Sequence, residues 1–321
     1  MSLPNATDLF YDNTKISAYK DCPRKYFLRH VMHWRSEGVA TPLAFGGAWH
    51  AAMDVVWKLG NSTTPADLQQ MALAAFLDKW VEEGLPWPMD LDLNAVYNPR
   101  TPTVAAEMLV NYIADRQRYL YESEIIAIEQ PFAVPLPNVP KAWYVGRLDK
   151  TIQYAQQKLV IEHKTTAIYR KDSFFEAAWV DSWYVDSQVQ GYEFGGSLYH
   201  GNIDGVWIDA ALVHKNVHNG FKFIPVKHSL NMVAEWLGDT ENWVERINRD
   251  TLLFEEFGDL GRGIFPKNTN SCFGKYGSCT YLDICRTTSM VSRDQEPPFG
   301  YVIEKWEPFE TLGLDKIINK E

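Results

Sequence analysis

The chain has 321 residues, 46% hydrophobic and 14% aromatic, with a formal charge of −10 and a pI near 5.3. That size and apolar content suit a substantial packed core, and with no apolar run near the roughly 18 residues of a membrane helix and no leader-like start, a cytoplasmic protein is expected. The acidic balance argues against general electrostatic binding of nucleic acid, while leaving room for one basic groove in which acidic residues gather metal.

In chain order, NTKISAYKDCPRKYFLRHVMHW reads as a helix with an apolar face through Ile16, Tyr19, Tyr26, Phe27 and Val31, kinked or restarted at Pro23. His30 and His33 fall on its surface or at an interface. TPLAFGGAWHAAMDVVWKLG follows as a second helix, opened by a tight glycine pair and carrying His50, Met53, Val56 and Trp57. Residues 64–84 and 103–123 give two more amphipathic helices around the loop PWPMDLDLNAVYNPRTP. IIAIEQPFAVPL, AWYVGRLDKTIQY and KLVIEHKTT then read as successive strands, the last two joined by the turn AQQK, with Glu129 in the first either a carboxylate supporting a site nearby or, the preferred reading, a strand-end charge. A helix is expected from about Phe175 to His200; its large aromatics Trp179, Trp183 and Tyr184 could stack bases, but the preferred reading puts them in the core. GVWIDAALVHK and FKFIPVKHS resemble a second strand pair, residues 229–257 a long helix, and the tail from Gly263 is loop-rich.

Helices, then a small sheet, then mixed elements predict an α/β core wrapped by helical additions. A single domain over 1–321 is expected, with a helical part (1–125) holding Cys22 and His50, an α/β core (126–228), and a C-terminal helix with the cysteine cluster (229–321).

Within KLVIEHKTT, Leu159, Val160 and Ile161 suit a buried strand. The two-residue period puts Glu162 and Lys164 on one face and His163 on the other. A salt-bridged strand end is one reading; a catalytic acid and base on a rigid element is the other. Asp149, on the preceding strand, brings a second carboxylate to the same locus. Two such groups repel unless a cation lies between them, and hard oxygen ligands suit Mg²⁺ or Mn²⁺. Lys164 then stands where it could orient a water and offset developing charge. Cys22 and the run CFGKYGSCTYLDIC, with Cys272, Cys279 and Cys285 spaced C-x6-C-x5-C, suggest metal ligation, by iron–sulfur or by Zn²⁺.

GRLD and EHK resemble the motif of the PD-(D/E)XK nuclease superfamily, in the G-x-x-D form of its RecB-like branch, with Leu148 where the proline of the motif would stand. GGAWH resembles the GxxxH element of RecB-type nucleases, and Gln188 with Tyr192 resembles their QxxxY element. One N-terminal and three C-terminal cysteines resemble the iron–sulfur members, the AddB-type subunits and the CRISPR-associated RecB-like exonucleases. The resemblance spans residues 17–285 in the expected order. It implies a restriction-endonuclease-like core, a small mixed sheet flanked by helices, with helical additions and a C-terminal iron–sulfur staple. It implies Mg²⁺ or Mn²⁺ held by His50, Asp149, Glu162 and the backbone carbonyl of His163. Lys164 becomes catalytic beside Asp149 and Glu162, Gln188 and Tyr192 become DNA contacts, and Cys22, Cys272, Cys279 and Cys285 become ligands of a 4Fe–4S cluster. The expected function is a metal-dependent DNA exonuclease acting on single strands or DNA ends, alone or beside a separate helicase or integrase. The rival is a non-catalytic DNA-end-binding or scaffolding subunit of a recombination, repair or integration complex. No G-x-x-x-x-G-K-[ST] is present, so ATP hydrolysis is not expected, nor is a membrane partner; the oligomeric state stays open.

Overall fold

A computed structural model describes residues 3–5, 7–87, 96–260, 263–274, 277–288 and 291–318. Strand β1 (Leu9–Tyr11) leads into α1 (Asn13–Asp21), where the Asp12 side chain accepts the Lys15 N–H. Cys22 turns extended, and Pro23, which cannot donate back into α1, starts a new turn that runs into a π-turn at Phe27–Val31. His30 is half-buried in that π-turn, its ring 5.1 Å from that of Tyr26, and burial pushes its imidazole down to about 3. His33 follows at φ 58°, also half-buried.

Three helices follow: α2 (Thr41–Leu59), α3 (Pro65–Glu82) and α4 (Pro102–Glu122). Each has proline in its first turn, and Thr64 and Thr101 cap the last two. Of the loop between α3 and α4, residues 88–95 lie outside the described residues.

Next come β2 (Glu124–Pro135), β3 (Ala142–Tyr154) and β4 (Gln157–Thr166). Ala155 and Gln156, at φ 45° and 66°, make the two-residue turn between β3 and β4, the geometry that matches strand twist in a tight hairpin. Glu129 lies within β2 instead of at a strand end, at φ 51°, and pairs with Arg147 at 2.6 Å.

The helix expected from Phe175 to His200 is broken. Tyr169–Arg170 and Phe174–Phe175 form a short hairpin, then come α5 (Ala177–Ser182), a 3₁₀ turn (Trp183–Val185) and α6 (Ser187–His200). Asp186 is extended, and its carboxylate accepts the N–H groups of Gln188 and Val189, so it caps a new helix and cannot continue the old one. Strands β5 (Gly205–Leu212) and β6 (Phe221–Val226) and helix α7 (Leu230–Phe257) complete the main elements.

The chain forms two compact units. One comprises residues 39–130 and 147–229 and holds a mixed sheet in the order β3-β4-β5-β6. The β3/β4 and β5/β6 pairs are antiparallel, and β4/β5 is parallel with α6 in the crossover. Its core packs Phe45, Trp49, Met53, Phe76, Trp80, Met108 and Tyr112 of the helices with Ile152, Leu159 and Ile161 of the sheet. Full burial of such side chains contributes about 1.5–3 kcal/mol each against chain entropy. On the other face of β4, a Cβ at Gly196 of α6 would come within 3.5 Å of Val160.

The other unit comprises residues 1–38, 131–146 and 230–321. Here β1 runs parallel to Ala142–Tyr144, and Phe10, Ala133, Trp143, Val145 and Leu314 form a small core. The glycine of GRLD has a steric reason: a Cβ at Gly146 would lie 2.6 Å from the Phe132 ring. Among the described residues, no helix is long and apolar enough to cross a membrane.

Candidate active site

The hairpin register creates the site. Lys150 pairs with Ile161, so the next cross-strand position sets Asp149 against Glu162, on the face of β4 that meets α6. Neither strand ends there; the carboxylates meet through cross-strand pairing and not at strand termini. Both are nearly sealed from solvent, at 6% and 2% exposure. The Asp149 Oδ2 accepts the His163 backbone N–H at 3.0 Å and lies 3.2 Å from His50 Nδ1. His50 reaches it from the flank of α2, whose neighbouring Ala48 and Trp49 are fully buried.

The electrostatics follow from that closeness. Burial and the Asp149 charge together push the Glu162 carboxyl up to about 7, with Lys164 and His50 opposing. Burial would raise Asp149 too, but His50, then Lys150 and His163, outweigh it and hold Asp149 well below the carboxylate range. Burial would lower His50, and the Asp149 carboxylate reverses that. The buried Glu162 Oε2 finds no hydrogen-bond partner among the described residues.

Lys164 shares the face with Glu162, as the period of two requires, and its Nζ lies 2.5 Å from Glu162 Oε1. The ammonium also donates to Gln188 Oε1 at 3.0 Å, and Gln188 Nε2 donates to the Tyr192 hydroxyl at 2.9 Å. One helical turn separates Gln188 from Tyr192, so α6 offers both groups to the same side. Burial would depress Lys164; Glu162 keeps it raised and charged.

His163 points to the opposite face and is fully buried beneath the site. Its Nδ1 is 3.4 Å from Asp209 Oδ2, and burial with the nearby Lys150 pushes its imidazole down to about 4. Asp209 accepts from Arg116 at 2.7 Å and from the Tyr112 hydroxyl, which in turn accepts Trp57 Nε1–H at 2.9 Å. The sequence reading missed this network. Its signal was an aspartate inside the apolar strand GVWIDAAL, which has to be paired to be buried.

Trp179 and Trp183 are half-buried, and Tyr184 is exposed, so the expectation of core aromatics is overturned. The α5 segment has no buried residue, and the Trp183 ring centre lies 5.7 Å from Lys164 Nζ.

In the other unit, Cys22, Cys272, Cys279 and Cys285 line one cavity with Asn268, and none is in a disulfide. Cys22 Sγ accepts the Asn268 N–H at 3.3 Å, and the Cys279 N–H donates to the Cys272 carbonyl at 2.8 Å. Among the described residues, no three His, Cys, Asp or Glu side chains are drawn together as ready metal ligands. At the carboxylate site His50 lies against Asp149, and Lys164 lies against Glu162.

The model of the PD-(D/E)XK nuclease superfamily matches residues 13–286. The chain belongs to that superfamily. PD-(D/E)XK nucleases generally use Mg²⁺ or Mn²⁺. The donor set fits such an ion: two carboxyl groups forced together, an imidazole beside them, and an unpartnered buried oxygen on Glu162. A solved structure described as "Putative exonuclease", from Eubacterium rectale, is similar to the chain with 16% identity and a TM-score of 0.46, over 75% of this chain and 80% of its own. No curated protein matches the chain.

Proposed function

We propose that this PD-(D/E)XK protein is a metal-dependent deoxyribonuclease, an exonuclease acting on single strands or DNA ends. The reading is carried by Glu162: a carboxyl buried against a second carboxylate, raised to about 7, with one oxygen unpartnered. His50, Asp149 and Glu162, with the His163 carbonyl, would hold Mg²⁺ or Mn²⁺. When bound, the ion supplies charge for the scissile phosphate and acidifies water.

The remaining work falls to the chain. The His163 N–H and His50 orient Asp149, and the buried pair Arg116–Asp209 fixes the strand beneath. Lys164 keeps its proton and presents a positive charge to the phosphate, with Gln188 limiting the swing of the ammonium. Gln188 and Tyr192 would also touch DNA.

For the cysteines we infer a 4Fe–4S cluster, with Zn²⁺ the lesser alternative. Four unpaired thiols on one cavity support it, with the Asn268 N–H directed at Cys22 Sγ. Its role would be a staple closing about 250 residues of chain. Iron and sulfide analysis of freshly purified protein, with its visible absorption, decides the occupant; zinc without iron overturns the cluster. DNA is the partner this function requires, and the protein would act alone or beside a separate helicase or integrase.

End-labelled single-stranded DNA with Mn²⁺, beside a Lys164→Ala control, tests the nuclease reading. Cleavage by the intact protein and its loss in the variant is the expected result. Binding of DNA with no cleavage by either would instead favour the non-catalytic DNA-end-binding subunit.

A further inference from the structure

The segment between the short hairpin and α6 is built unlike the rest of its unit. Neither α5 nor the 3₁₀ turn after it buries a residue, yet together they carry Trp179, Trp183, Tyr184 and Val185. Tyr184 is 45% and Val185 78% exposed. Such a display has no use in a core.

The rings form a connected series that begins at the active-site lysine. Trp183 lies 5.7 Å from Lys164 Nζ, within cation–π range. Trp179 meets Trp183 edge-on at 5.4 Å, and Phe175 stacks on Trp179 at 5.6 Å with planes 16° apart. Trp183 Nε1 is shielded from solvent and, among the described residues, finds no hydrogen-bond partner.

The turn that holds these rings is fastened. The Tyr184 carbonyl oxygen lies 2.9 Å from His228 Nε2, and His228 Nδ1 lies 2.9 Å from Glu193 Oε2 on α6. Glu193 also accepts the His228 backbone N–H at 3.0 Å. At the next residue Asp186 caps α6. The backbone is therefore set in advance while Trp179 and Trp183 stay half-buried and Tyr184 exposed, which reduces the ordering cost of binding a flat ligand.

We propose that Trp183, with Trp179 and Tyr184, is a stacking site for unpaired bases of single-stranded DNA, beside the phosphate that Lys164 meets. This rests on the nuclease reading and narrows its substrate to a strand whose bases are free at the site. Aromatic faces take any base, because every base has a π-face. A duplex cannot offer those faces, since its bases already stack on one another. Continuity with Lys164 names the occupant: whatever lies on Trp183 also meets the ammonium, and a nucleic-acid strand supplies both a flat base and an anion.

The test is fluorescence anisotropy with Ca²⁺ in place of Mg²⁺ or Mn²⁺. It compares a labelled oligothymidylate with a strand of equal length and charge whose internal bases are missing. The intact protein is expected to prefer the base-bearing strand by about tenfold or more. Trp183→Leu, which keeps apolar bulk but loses the ring, should bring the two strands within about twofold, and Trp183→Phe should restore most of the preference. Thermal melting of each variant checks folding. An undiminished preference in Trp183→Leu, equal binding of both strands by the intact protein, or no binding of either overturns the proposal. A change of oligomeric state in Trp183→Leu without a change in strand preference makes the face a self-interface and overturns it too. The Mn²⁺ cleavage assay stands apart: base preference without cleavage keeps the stacking site and sinks the nuclease, and cleavage without base preference does the reverse.

Discussion

Protons should leave the site when the metal arrives. The Glu162 carboxyl is pushed from 4.5 up to about 7 by burial and by Asp149, and the Asp149 carboxylate raises His50. Near pH 6 (roughly one unit below the Glu162 value) both groups hold a proton in most molecules, and ligation needs both gone. At about 1.36 kcal/mol per pH unit, the Glu162 shift corresponds to about 3 kcal/mol of unfavourable charge in the metal-free fold, which a cation offsets. The sign follows. The folded pKa of Glu162 lies above the unfolded one, so the metal-free fold loses stability as pH rises from about 4.5 through about 7. Asp149 is depressed and works the other way: its contribution is present above the ordinary carboxylate range and lost as pH falls below it. Calorimetric titration with Mn²⁺ in two buffers of different ionisation enthalpy counts the protons. Glu162 should release close to one proton near pH 6 and close to none near pH 9, with affinity falling about tenfold per pH unit below about pH 7 on its account, and His50, raised by Asp149, adds to the release near pH 6. Equal proton release at both pH values would refute the electrostatic account of the site.

Gln188→Ala removes both the neutral acceptor that holds Lys164 and a proposed DNA contact, so kcat/KM on single-stranded DNA should fall about tenfold or more, with kcat lowered as well as KM raised, read from steady-state kinetics. Asp209→Asn removes the buried counter-charge of Arg116 and leaves it only the half-exposed Asp115, a loss of about 3 kcal/mol, visible as a thermal midpoint lowered by several degrees. Gly146→Ala drives a methyl into the Phe132 ring and should cost about 1–3 kcal/mol in urea unfolding, partly recovered in the double variant with Phe132→Leu.

Much of the site was readable because it sits on regular elements. The β-branched run before Glu162 fixed a strand, the period of two fixed which side chains share its face, and a single turn of helix joined Gln188 to Tyr192. The strands from Ala142 to Thr166 also fell where their patterns put them. What the sequence reading lost is tertiary. The broken helix before Ser187 hangs on one capping aspartate, Asp186, whose role the aromatic-rich stretch before it concealed. Trp183 reads as core by composition, yet it lies in a short turn that buries no residue. Asp209 and Arg116 are far apart in the chain and meet only after β5 lies against α4, so neither alone signals a buried pair. Glu129 pairs with Arg147 from a left-handed position within β2, a conformation that local propensity does not favour.

The convergence of His50, Asp149 and Glu162 on one ion is tested most directly by an anomalous difference map from crystals soaked in Mn²⁺. The account predicts a single strong peak at about 2.0–2.3 Å from a carboxylate oxygen of Asp149 and of Glu162 and from a ring nitrogen of His50. A map with no peak there, or with manganese bound elsewhere while Glu162 keeps its contact with Lys164, would contradict it.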